Sequence, residues 1–65
     1  MFYEIITKLC ADRNVSIYDL ERESGIGNGT IGKWKESSVQ PNIGTLKKIA
    51  DYFQITLETL LKKAE

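Results

Sequence analysis

The densest chemical signal in the chain is the run Gly27-Asn28-Gly29-Thr30-Ile31-Gly32. Its spacing matches G-x-G-x-x-G, in which glycines let a backbone cradle a dinucleotide pyrophosphate at a helix N-terminus, and Asp51 lies near the distance at which an acid would hold the ribose. That chemistry requires a buried strand before the glycines and a βαβ unit around them. The segment that precedes them, Ile17-Tyr18-Asp19-Leu20-Glu21-Arg22-Glu23, is polar on one side, follows a capping serine and stops at Gly25, so it reads as a helix. A chain of 65 residues also lacks the length for the rest of a nucleotide fold. The dinucleotide reading is rejected on both grounds.

A second reading takes the same stretch as helix, short turn, helix over about residues 16–36. Residues 16–24 form the first helix, Gly25-Ile26-Gly27 the turn, and residues from Asn28 to about Glu36 the second helix. Ile26 is then the apolar plug between them, and Ile31 and Trp34, three apart, hold the second helix to the core. This leaves Asn28, Gly29, Thr30, Gly32 and Lys33 pointing outward. Asn pairs bidentately with adenine, Lys donates to guanine, and Thr meets a thymine methyl, so the outward set suits the major groove of a duplex. Two glycines inside a helix cost roughly 1 kcal/mol each relative to alanine. On an exposed face they make sense where the backbone must lie close to another surface.

Other chemistries are poorly supplied. The chain has no histidine and one cysteine, so it lacks the commonest general base, cannot form an internal disulfide and cannot build an ordinary zinc site. Cys10, beside Leu9, reads as a small buried hydrophobe. Asp19, Glu21 and Glu23 read as solvated helix charges rather than a catalytic cluster. No enzyme, metal or cofactor is expected. There is no run of about 18 apolar residues and no basic-then-apolar leader, which points away from the membrane and towards a reduced, cytoplasmic setting. Net charge is zero, but its distribution is uneven: residues 27–48 carry Lys33, Lys35, Lys47 and Lys48 against Glu36 alone, whereas both flanking segments are acidic.

The elements that must position the reading segment follow from apolar spacing and caps. Phe2, Ile5, Ile6 and Leu9 predict a helix over 2–13, broken at Asn14-Val15. Ser16 with Asp19 fits a capping box for the next helix, in which Ile17, Leu20 and Ser24 face inward. Ser37-Ser38-Val39-Gln40-Pro41 is the one real loop. Asn42 caps a fourth helix that buries Ile43, Leu46, Ile49, Ala50 and Phe53, and Thr56 caps a fifth containing Leu57, Leu60 and Leu61. No stretch alternates as a strand would. The expected fold is all-α, a compact five-helix domain over residues 1–65.

Leu20, Gly25, Ile31, Pro41, Leu46, Ile49 and Ala50, with the Ser16 start and the tail Ile55-Thr56-Leu57-Glu58-Thr59-Leu60, resemble the Cro/C1-type (XRE family) helix-turn-helix domain of phage repressors over roughly residues 5–61. The resemblance implies a lambda-repressor-like domain that binds double-stranded operator DNA, commonly as a two-fold homodimer. It places base contacts at Asn28, Gly29, Thr30 and Lys33. Phosphate contacts fall around Ser16 and Ile17 and over Ser37, Ser38, Gln40 and Asn42. The residues themselves add Tyr18, near a helix start, and the cations Lys35 and Lys47. Three departures stand out. Ile17 replaces a common glutamine, leaving only a backbone N–H for phosphate. Cys10 and Lys35 stand where many members pair Arg with Glu, which frees Lys35. Gly27 replaces the usual Ser or Thr cap.

A second functional reading uses the same fold as a protein-interaction module, antitoxin-like or repressor-binding. It is motivated by zero net charge, Ile17 and the lack of arginine in the third helix.

Overall fold

The computed structural model of the chain describes residues 2–36 and 41–63. It contains four α-helices and one 3₁₀ segment, and no strand occurs among the described residues. The helices are α1 (Phe2–Arg13), α2 (Ile17–Ser24), α3 (Ile43–Tyr52) and α4 (Leu57–Lys63); the 3₁₀ segment (Ile31–Lys35) lies between α2 and α3. The all-α expectation is met. The expected third helix over 28–36 is not an α-helix: residues 28–30 form a turn, and only then does the chain wind into 3₁₀ geometry.

Local chemistry sets most boundaries. Asn14 ends α1 in a left-handed conformation, φ 60°, which asparagine tolerates better than most residues. The Val15 N–H then closes on the Cys10 carbonyl at 2.9 Å. Ser16 caps α2 by accepting from the Asp19 N–H at 3.0 Å. Only half of the expected capping box forms, because the Asp19 carboxylate pairs with Arg22 at 3.2 Å instead. Gly25 ends α2 at φ 80°, where a residue with a Cβ would be strained. Asn42 accepts from the Gly44 N–H at 2.7 Å, and Thr56 accepts from the Thr59 N–H at 3.0 Å, so α3 and α4 both start on side-chain caps.

The core runs through all five segments: Ile6, Cys10, Leu20, Ile26, Ile31, Trp34, Leu46, Ile49, Ala50, Phe53 and Leu60. On α1 the buried line is Ile6 and Cys10, one turn apart, while Phe2, Ile5 and Leu9 pack at its margin. Burial pushes the Cys10 thiol up, keeping it neutral and consistent with a packing role. Ile43, expected inward, is 59% exposed at the first turn of α3. Polar ties reinforce the packing. Arg13 donates to the Phe53 carbonyl at 3.1 Å and lies over its ring, joining α1 to the end of α3. The Tyr52 hydroxyl donates to the Glu23 carboxylate, joining α3 to α2 and raising the phenol above its usual range.

Candidate nucleic-acid interface

Why the segment after α2 is not a regular helix is explained by one side chain. Glu21 is only 4% exposed, and its carboxylate turns away from solvent into the elbow between α2 and the 3₁₀ segment. One oxygen accepts from the Gly29 N–H at 3.1 Å and the other from the Ile31 N–H at 2.9 Å. The Thr30 N–H is taken by the Gly27 carbonyl at 3.1 Å. Gly29 is left-handed, φ 86°, and Thr30 is right-handed, φ −59° and ψ −48°. Successive residues of opposite hand aim their amides into one concavity, an arrangement that suits an anion. Here the anion is the protein's own.

This corrects three expectations. Glu21 is not a solvated helix charge. Gly29 is not a glycine inside a helix either; it supplies the positive φ that the turn requires. Gly27 caps nothing, and a Cβ built on it would stand 3.1 Å from the Thr30 hydroxyl oxygen. The sequence carried a signal for Glu21. Ile17, Leu20 and Ser24 define the inward stripe of α2, and position 21 falls on that stripe at i+4 from Ile17. Hydrogen bonds to a charged acceptor contribute about 1.5–3 kcal/mol each, while a buried carboxylate forfeits several kcal/mol of hydration. The net effect on stability is therefore small, and the main consequence is the shape of the turn.

Around this turn the residues expected to meet DNA are distributed as follows. Asn28, Gly29 and Lys33 are exposed, and Thr30 is half-buried. Asn28 and Tyr18 line one crevice of about 180 Å³ with Glu21, Arg22 and Ile26, which brings the start of α2 beside the turn. Tyr18 is 59% exposed, and the Arg22 guanidinium lies 5.8 Å from its ring centre. Ser16 and Asn42 are exposed caps whose oxygens accept backbone N–H groups, which leaves the Ser16 hydroxyl proton and the Asn42 amide protons to donate. Ile17 is half-buried against the core, so the backbone is its polar part. Lys47 is exposed on α3. The Lys35 ammonium stands 5.3 Å over the Tyr3 ring on α1, a contact worth about 0.5–1 kcal/mol at an exposed site. Ser37, Ser38 and Gln40 lie outside the described residues.

Gly32 differs from Gly29. It has no positive φ, and among the described residues a Cβ added to it meets nothing within 4 Å. Gly32→Ala is therefore expected to stabilise the free protein by about 0.4–1 kcal/mol, mainly by restricting the unfolded chain. In a domain this small that corresponds to a rise in Tm of about 2–8 °C, measurable by scanning calorimetry. A fall in Tm would show that this position resists an ordinary side chain.

Among the described residues no group of acids and cysteine is placed to hold a metal, and no helix is long and apolar enough to cross a membrane. Comparison with curated proteins and with solved structures gave no significant match. The profile of the Cro/C1-type HTH DNA-binding domain matches residues 6–63, most of the chain. With Ile26 plugging the elbow, Ile31 and Trp34 anchoring the segment after it, and Asn28 and Lys33 left outside, the chain belongs to the Cro/C1-type helix-turn-helix family of DNA-binding domains found in transcription regulators.

Proposed function

We propose that the chain acts in repressor-type regulation by reading a specific double-stranded operator through the major groove. The observation that carries this reading is the edge formed by the exposed Asn28, Gly29 and Lys33 with the half-buried Thr30 among them, held on a fixed turn beside the start of α2. Asn28 and Lys33 offer donors to base edges, and Thr30 offers a methyl to thymine. Ser16, the Ile17 backbone N–H, Tyr18, Asn42 and Lys47 grip phosphates on either side. Lys35 joins them when it leaves the Tyr3 ring, since that contact is weaker than a charge-assisted bond to phosphate. Two copies related by a two-fold axis would place their reading segments about 34 Å apart, one turn of DNA, on a pseudo-palindromic site. A body 26 × 24 × 21 Å over its described residues is of suitable size for that spacing. No catalytic step is part of this function.

The direct test is selection from a random duplex library followed by gel shifts across a salt series. An enriched sequence is expected, with affinity falling as log K against log salt at a slope of about −3 per protomer if Lys33, Lys35 and Lys47 each neutralise one phosphate. No enrichment at low salt and high protein concentration would overturn the reading. Gly32→Ala separates backbone approach from stability: the variant should melt higher yet bind the selected duplex more weakly.

The protein-interaction reading draws support from Tyr18 and Ile43, both 59% exposed. An NMR titration distinguishes the two. Duplex DNA should shift amides at 28–33 and 42–44, whereas an interaction module would leave them still.

A further inference from the structure

The amides at the front of a helix ordinarily offer an anion site, and a phosphate is the ligand expected there. In this chain that site is already filled. The N–H groups of Gly29 and Ile31 both end on the Glu21 carboxylate, and that of Thr30 on the Gly27 carbonyl. All three consecutive amides of the turn are thus satisfied within the protein. Each carboxylate oxygen holds one amide, so the plane of the carboxylate fixes the spacing of residues 29 and 31 as well as their direction. α2 is itself anchored through Leu20, the neighbour of Glu21 and fully buried, and through the left-handed stop at Gly25. The turn is therefore referenced to the core through Glu21, and its outward side chains inherit that reference.

We propose that Glu21 is a specificity-determining residue that never touches DNA: its buried carboxylate fixes the 27–31 turn and occupies its amides, so that the segment meets a duplex through the side chains of Asn28, Thr30 and Lys33 rather than through backbone donors to phosphate. The proposal rests on the DNA-reading function above. It assigns Glu21 a positioning role. Base contacts need alignment to a few tenths of an ångström, and a loose turn would retain charge attraction while losing discrimination. With the carboxylate gone, the freed amides would also offer phosphate a sequence-blind contact.

Glu21→Gln is the informative variant. It keeps the shape and one acceptor oxygen, but turns an NH2 group towards the second amide. Two measurements are needed. The first, amide hydrogen exchange on the free protein, requires no DNA. Protection at Gly29 and Ile31 should fall at least about tenfold, as expected when a local hydrogen bond opens, while Phe53, whose N–H bonds to Ile49 in α3, keeps its protection. The second is duplex selection. Glu21→Gln should prefer the parent's selected site over random duplex about tenfold less, the discrimination of roughly one base contact, with affinity for random duplex unchanged or raised. Ile49→Val, which loosens the core elsewhere, should lower stability without changing the preference. If Glu21→Gln does not fold, Gly29→Ala strains the same turn from the backbone side at φ 86° and should give the same loss of preference. Unchanged exchange at Gly29 and Ile31 overturns the positioning role, and so does lowered protection with an unchanged site preference. A parent protein that selects no site overturns the DNA reading instead, and the exchange result then stands by itself.

Discussion

Replacing Phe53 with alanine is expected to leave much of the chain unfolded at 25 °C. Phe53 is among the largest fully buried side chains and closes α3 against α1. Its ring meets Tyr52 edge-on at 5.2 Å and carries the Arg13 guanidinium at 5.7 Å. Truncating a buried phenylalanine costs about 3–5 kcal/mol. A domain of this length has roughly 3–10 kcal/mol in total, and small domains lie towards the low end. The loss is therefore comparable to the whole stability. Circular dichroism against temperature should show Tm falling by about 15 °C or more, or no cooperative transition. Leu61→Ala, at a site 38% exposed on α4, is the control and should change stability by less than about 1 kcal/mol. A Phe53→Ala protein that melts within a few degrees of the parent would show that the α1–α3 contact does not organise the core.

The second large effect concerns recognition. Asn28→Ala and Lys33→Ala together should abolish discrimination between a selected duplex and a random one while leaving Tm nearly unchanged, because both side chains are exposed. Each base contact is worth about 1–3 kcal/mol, roughly 5- to 150-fold in affinity for the correct site. The two positions lie on one short segment, so their effects need not add. The single variants divide the roles. If Lys33 donates to a guanine, Lys33→Ala relaxes preference at that base. If it neutralises a phosphate, affinity falls evenly across sequences and the salt slope becomes shallower by about one. A double variant that still enriches the parent's site at the parent's affinity would remove the 28–33 edge from the reading role.

Much of this arrangement was legible along the chain. Ser16, Gly25, Asn42 and Thr56 mark helix ends because their bonds reach only two to four residues, so the local sequence contains both partners. Ile26 and the Ile31–Trp34 pair announce the elbow because no other residue nearby can plug it, and all three are buried. The family resemblance to residues 5–61 agrees closely with the profile match over 6–63. Less legible was α1, where Ile6 and Cys10 are buried while Ile5 and Leu9 lie at the margin; two adjacent apolar pairs leave the centre of the stripe undecided until the neighbours are in place.

The 28–36 segment marks the division. Its sequence was enough to locate the apolar anchors Ile31 and Trp34 and the exposed Asn28 and Lys33, since each follows from spacing within one or two helical turns, but it assigned the turn to 25–27 and made helix of residues 28–30, where the chain turns again. Its conformation was decided by Glu21, whose carboxylate reaches residues eight and ten positions away. Periodicity places position 21 on the inward stripe of α2, but a carboxylate alone is strongly disfavoured there, so charge argued for solvent. Only folding brings the two amides that make its burial tolerable. Lys35 follows the same logic: its sequence position makes it a free cation, and the packing of the 3₁₀ segment on α1 sets it over Tyr3. Short-range bonds and apolar spacing are written in the chain, whereas a buried charge has no stable place until its distant partners surround it.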